Sequence, residues 1–507
     1  MISDWITQSQ NQNPLFFFFF FFCSVNMICQ NRTRKAQTTV ALFLGILIFF
    51  AFITQWIDTS IIKGSLQKKF LQDSSPHVYP IEFDCSRKCS EISVPVTENI
   101  SITSSTESCP EYFRWIHEDL RPWKVTGITK SMVEKAKEVA HIRIIILNGR
   151  VYVEKYKHVF QTRDVITIWG ILQLLRLYPG RIPDLDLMFE CNDRPVIKKR
   201  NYMRKPNALI PPLFHYCSDG VSFDIVFPDW SFWGWPEVNI RPWEVLKEDL
   251  KVGNKNITWM DREPYAYWKG NIRMGAARRD MLKCNASDEQ DWKARIFNLE
   301  WGQEKKQKFS GADLASQCTY RYKIYVEGVS WSVSEKYILA CDSMSLIVSP
   351  QYYDFFTRSL MPTVHYWPIN KKNKCGSIKF AVEWGNKNTD KAQKIGKSGS
   401  DYVQENLKMK YVYDYIFHLL NEYSKLMKYK PSVPEGAVEV CSESLFCSVR
   451  GLRRKFRKDS MVTSAADSRP CTLPPSFDPE ELRAFRDRKR NLAKKVVLWE
   501  QNETSGI

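Results

Sequence analysis

The chain has 507 residues, 44% of them hydrophobic and 14% aromatic, so it can bury sizeable cores and is too long for a single small folding unit; a disordered tail protein is excluded. Its 73 basic against 56 acidic residues give a net charge of +17, which suits an anionic partner such as nucleic acid, a membrane surface or a sugar nucleotide. No basic recognition helix and no paired zinc ligands accompany that charge, so nucleic acid is not an expected partner and the plain reading is a solvated basic surface.

Near the N-terminus, seven consecutive phenylalanines, Phe16 to Phe22, lack the period of a packed element and are too few to cross a bilayer. Met27 begins a segment that suffices as a short cytosolic tail, which raises a start-site artefact for residues 1–26 within a tail of 1–37. Thr38 to Trp56 is an uncharged apolar run of 19 residues, long enough as a helix to span the hydrocarbon core. Arg32, Arg34 and Lys35 precede it, so the positive-inside rule puts the N-terminus in the cytosol and the rest in the lumen, a single-pass type II topology. A cleaved signal peptide is the competing reading, but no small-residue cleavage site follows. The polar stretch 57–108 then reads as a stem.

Of 14 cysteines, twelve fall between Cys85 and Cys471, on the side expected to be oxidising, and the even count suits disulfides. Zinc competes, but the spacings are not Cys-x-x-Cys knuckles. Sequons at Asn99, Asn256, Asn285 and Asn502 agree with a lumenal location.

A dense globular region, 109–429, follows. Ser131 and Glu134 form a capping-box pattern, and two apolar runs flank Asn148-Gly149, which predicts a hairpin. IWGILQLLRLY predicts a helix, and Ile182 to Phe189 a short strand ending in ECNDRP. Ala266 to Trp268 predicts a strand entering a Lys269-Gly270-Asn271 turn and a basic helix. TYRYKIYVEGVSWS predicts strand then turn, EKYILACDSMSLIVSP helix then strand, and YVYDYIFHLLNEYSKLMKY a final helix. Alternating strand and helix define an α/β protein. From Lys430 a charged, cysteine-containing extension, 430–507, ends in a charged helix.

Eight segments stand in one order: IHEDLRPW, VFQTRD, GRIPDLDLMFECNDRP, FPDWSFWGWPEVNIRPW, YWKGN, YKIYVEGVSWSVSEKYILACDS, YYDFFTRSLMPTVHYWPI and SIKFAVEWGN. Together they resemble plant-type members of the Rumi-like protein O-glucosyltransferase family, which also takes in the capsule-protein-type glycosyltransferases. The resemblance implies a GT-B architecture of two Rossmann-like lobes facing a cleft, and inverting transfer from a UDP-sugar without a metal. It implies residence in the Golgi or endoplasmic reticulum membrane, held by the one N-terminal helix. It also implies a disulfide between Cys318 and Cys341.

Inverting transfer needs one carboxylate to take the proton of the attacking hydroxyl. The match of ECNDRP to the family's catalytic segment makes Asp193 that base. The departing UDP must meet cations and N–H groups. The resemblance points to Asn271, to Arg278 or Arg279, and to the turn Val329, Ser330, Trp331, Ser332, Val333 and Ser334. Ser334 stands where animal members carry an arginine, with Lys336 as the candidate to compensate, which leaves UDP-glucose, UDP-xylose or another UDP-sugar open as donor. The acceptor, protein or glycan, is expected against Val159, Phe160, Gln161, Thr162 and Arg163 and against Trp235, Pro236 and Glu237 of the aromatic block. Asp184-Leu-Asp186 imitates a metal-binding DxD, but its alternation within an apolar strand favours a structural role. A non-catalytic, lectin-like glycan binder is the alternative: it would keep the aromatic cleft and could dispense with Asp193 and Asn271.

Overall fold

Asn148 and Gly149 adopt left-handed backbone, φ 51° and 71°, and the strands Ile142–Leu147 and Arg150–Lys155 pair antiparallel across that two-residue turn. The computed structural model describes residues 83, 85–86, 88–91, 107–203, 208–307, 309 and 313–504, all within the second of two compact units, Tyr79–Ile507. The apolar run 38–56, the cytosolic tail, most of the stem and the sequon at Asn99 lie outside the described residues. No described helix is long and apolar enough to cross a membrane.

The hairpin is the middle of a six-stranded sheet ordered Val438–Val440, Arg150–Lys155, Ile142–Leu147, Leu185–Phe189, Phe214–His215, Ile225–Val226. Ile142–Leu147 runs antiparallel to both neighbours, while the last three strands are mutually parallel. This mixed sheet departs from a purely parallel Rossmann-like lobe, because a two-residue turn can join only antiparallel strands. The helix Arg163–Leu177 buries eleven of its fifteen residues, six of them in the first core.

The second sheet is wholly parallel, in the order Trp367–Ile369, Met344–Val348, Tyr320–Tyr325, Glu263–Gly270, Ala294–Asn298, and carries its own core. Helices Lys374–Lys387 and Thr389–Asn406 contribute Ile378, Ala381 and Ile395 to that core. The molecule is thus α/β, as the alternation of elements predicts.

The chain after Lys430 is woven into the fold. Val438–Val440 adds a strand to the first sheet; Cys109–Cys471 ties this segment to the start of the globular region, and Cys85–Cys447 and Cys89–Cys441 tie it to the end of the stretch read as a stem. The terminal helix Pro479–Thr504 sets Leu482 into the first core and Val496 into the second. Cys284–Cys375 and Cys318–Cys341 complete the five disulfides among the described residues, the latter as the resemblance implies, while Cys191 and Cys217 remain buried thiols.

The capping box does not form. Thr129 caps the helix Lys130–Ala136 instead, accepting a hydrogen bond from the Met132 amide, and Glu134 turns to Arg143 at 2.9 Å. A buried guanidinium outcompetes a backbone amide for that carboxylate. The DxD pair is structural: Asp186 receives two bonds from Arg143, both 2.7 Å, and one from the Tyr429 hydroxyl, and Asp184 accepts from the Asn148 amide at the hairpin.

Candidate active site

The second sheet sends three strand ends into one cleft. These are Gly270-Asn271, the segment after Asn298, and the turn after Tyr325, so the cleft sits at carboxyl ends of parallel strands, where open α/β sheets bind ligands. From the first sheet, Asp193 enters beyond the strand Leu185–Phe189. The cleft encloses about 510 Å³.

The Asp193 side chain is 33% exposed, open to a substrate, and Arg163 Nη1 donates to its Oδ1 at 3.0 Å. The Arg163 guanidinium is itself buried, 4.2 Å over the Trp230 ring, and also donates to the Cys191 carbonyl. Arg163, a residue that the resemblance assigns to the acceptor, lines the cleft, and its guanidinium pairs with Asp193. Behind this segment Glu190 lies 3.1 Å from His141 and 3.2 Å from His215 and accepts from the Asn192 amide at 2.7 Å. Burial works to raise the Glu190 pKa, but the two histidines beside it prevail and hold it at about 2. The carboxylate therefore stays charged and fixes the backbone leading to Asp193.

Across the cleft, the Asn271 side chain caps the turn Ile272–Met274 by accepting from the Arg273 amide at 2.8 Å. Gly275 lets this loop touch its neighbour: a Cβ there would sit 2.6 Å from the Gly328 carbonyl oxygen. The short helix Ala276–Met281 places the two candidate arginines differently. Arg278 lines the cleft, donating to Ser332 Oγ at 3.0 Å and to the Asn271 carbonyl at 3.4 Å, while Arg279 points to solvent outside it. Neighbouring helical residues lie about 100° apart, so only one can face the ligand. Burial lowers the pKa of Arg278, no carboxylate among the described residues pairs with it, and its Nε is buried without a partner.

Val329 through Ser334 all line the cleft. Trp331 reaches into the first core, 6.1 Å from Trp230, and Arg194 Nε donates to the Val329 carbonyl at 3.2 Å, so the turn is held from the side of Asp193. Lys336 does not compensate for Ser334. Its ammonium is buried, donating to Ser231 Oγ at 2.7 Å beside Asp229, because residues two apart on a helix face opposite sides.

On the acceptor side, Phe160, Gln161, Trp235 and Glu237 line the cleft, and the Trp235 indole donates to Gln161 Oε1 at 2.8 Å. Val159 is buried, and Thr162 and Pro236 border a small cavity behind the wall, so these three are supports. Sequence reasoning missed the far wall, Trp268, Leu299, Trp301 and Lys305. Trp268 stands beside the Lys269-Gly270-Asn271 turn, which could have signalled it; the others follow a strand that carries no motif.

A cleft at parallel strand ends, lined by the partly exposed Asp193 and by an arginine that no carboxylate among the described residues pairs, has the form of a group-transfer site. The chain belongs to glycosyl transferase family 90, whose model matches residues 104–500. It is similar to protein O-glucosyltransferase 1 of Homo sapiens, 26% identical over 359 residues that cover 67% of this chain and 86% of that protein. It is also similar to the O-glucosyltransferase rumi of Drosophila pseudoobscura pseudoobscura, 25% identical over 383 residues covering 73% and 90%.

Proposed function

We propose that this glycosyltransferase moves glucose or xylose from a UDP-sugar to a hydroxyl of a protein acceptor, with inversion, in a GT-B arrangement of two lobes. The acceptor class follows the names of its relatives. In the reaction the acceptor oxygen attacks C1 as its proton passes to Asp193. The bond from C1 to the diphosphate breaks, and UDP leaves with the electron pair. Arg278 and the turn 328–334 meet the charge of the leaving group. The Arg278 guanidinium, in one cleft with the partly exposed Asp193 carboxylate, carries this reading, since a buried cation with no counterion among the described residues calls for an anionic ligand.

The test is UDP-sugar hydrolysis and transfer by the purified protein. Arg278→Met should lower kcat/KM for the donor by about a hundredfold, the scale for removing one donor to a developing charge. Arg279→Met should leave it nearly unchanged. Equal effects of the two, or no turnover of any UDP-sugar by the wild type, reject the reading and favour the lectin-like alternative. The reaction is proposed to be metal-independent, because both DxD carboxylates are engaged in the fold; turnover should persist in a chelator.

The placement proposed with it is an anchor at 38–56, a stem at 57–108 and a catalytic region from 109, lumenal in the Golgi or endoplasmic reticulum. Five disulfides support an oxidising compartment. Protease added to intact microsomes should leave the chain after Trp56 undigested. Its complete digestion would overturn this topology.

A further inference from the structure

The helix Gly451–Asp459, GLRRKFRKD, packs behind the wall of the cleft that carries Pro236 and Glu237, around the same small cavity. Arg453 donates to Glu237 Oε1 at 3.2 Å, and Phe456 packs beneath Gly234, where a Cβ would meet its ring at 2.9 Å. Arg450, Arg453, Arg454, Lys455 and Lys458 are exposed, against a single acid in the helix, Asp459. Arg457 turns inward. It is 7% exposed, and its Nη1 is buried without a hydrogen-bond partner beside a space of about 10 Å³, room for one water at most. Burial, and then repulsion from Arg453, lowers its pKa to about 10, with no carboxylate acting to offset them.

These exposed cations, of which Arg453 alone is salt-bridged to a described carboxylate outside the helix, make a positive field that complements an anionic partner. We propose that this helix docks a carboxylate-rich polypeptide segment flanking the acceptor hydroxyl, a proposal that rests on the transferase reading of the cleft. Arginine forks fit carboxylates with two parallel bonds. A membrane fits less well, because a lipid-binding helix needs its apolar face free and here Phe456 is spent on the protein.

The full-length protein in detergent is titrated with a short fluorescein-labelled Glu-rich peptide, with a Lys-rich peptide of equal length, with oligogalacturonate and with phosphatidylserine vesicles. Wild type should prefer the Glu-rich peptide. The double variant Lys455→Glu, Lys458→Glu should bind it about tenfold more weakly, the sum of several partly screened pairs. Donor hydrolysis without acceptor should be unchanged in that variant, so a failure of the transferase reading, absent hydrolysis in wild type, is seen separately. Equal binding of the Lys-rich peptide, no weakening on charge reversal, or tighter binding of oligogalacturonate or vesicles with the same dependence on Lys455 and Lys458 each overturns the proposal.

Discussion

Asp193→Asn should lower sugar transfer by about 10²–10⁴-fold while UDP-sugar affinity stays within a few-fold, because general base catalysis typically supplies that factor and the amide cannot take a proton. The substitution preserves shape, and Asn Oδ1 can still accept from Arg163 Nη1, now 3.0 Å from the carboxylate. Glu190 with its two histidines holds the preceding backbone without that charge, while the buried Arg163 keeps a hydrogen bond but loses its charged partner. If Asp193 instead only caps its turn, the variant loses about 1 kcal/mol of stability and transfers normally. Turnover and melting temperature from one preparation separate these outcomes. A stable, fully active Asn variant removes Asp193 from the mechanism.

Asp186→Asn should destabilise the protein by about 3 kcal/mol, the lower end for breaking a buried ion pair by removing one partner. Asp186 is fully buried and accepts from Arg143 at 2.7 Å twice and from Tyr429 at 2.8 Å. Burial acts to lower the Arg143 pKa, but Asp186, and after it Glu134, hold it above the ordinary arginine range. A raised cation pKa contributes stability that is fully present below the unfolded value, so this loss should not vary across ordinary pH. Glu134 remains as a partner but is 41% exposed, which is why the lower figure applies. Urea denaturation at two pH values measures it. A metal-binding DxD predicts the opposite pattern, in which stability is kept and metal dependence of turnover is lost.

Elements set by nearest neighbours were legible before any fold was known. Asn148-Gly149 demands left-handed backbone and therefore a hairpin, and the apolar stretch within Arg163–Leu177 predicts a buried helix. The alternation of strand and helix signals was enough for an α/β protein, and the ordered segments from IHEDLRPW to SIKFAVEWGN were enough for the family. What failed involved competition between partners distant in sequence. Glu134 has the spacing of a capping box, yet Arg143, brought close by folding, takes it. The extension after Lys430 reads as an appendage because its strand of three residues and its cysteines find their partners some 280 to 360 positions away.

The residues of the site divide in the same way. Which segments supply it is legible from the chain alone, because a turn after a strand, rich in small residues or ending in Asp-Arg-Pro, marks a strand end wherever it stands. Which side chains face the cleft depends on how the elements pack. Arg278 and Arg279 are equivalent on paper and lie on different faces of one helical turn; Ser334 and Lys336 lie on opposite faces of the next, one lining the cleft and one buried against Asp229. Likewise Arg163 reads as a free cation until packing sets it over Trp230 and within reach of Asp193. Direction is a property of the helix axis and of what packs against it, and both are fixed by residues far away in the chain.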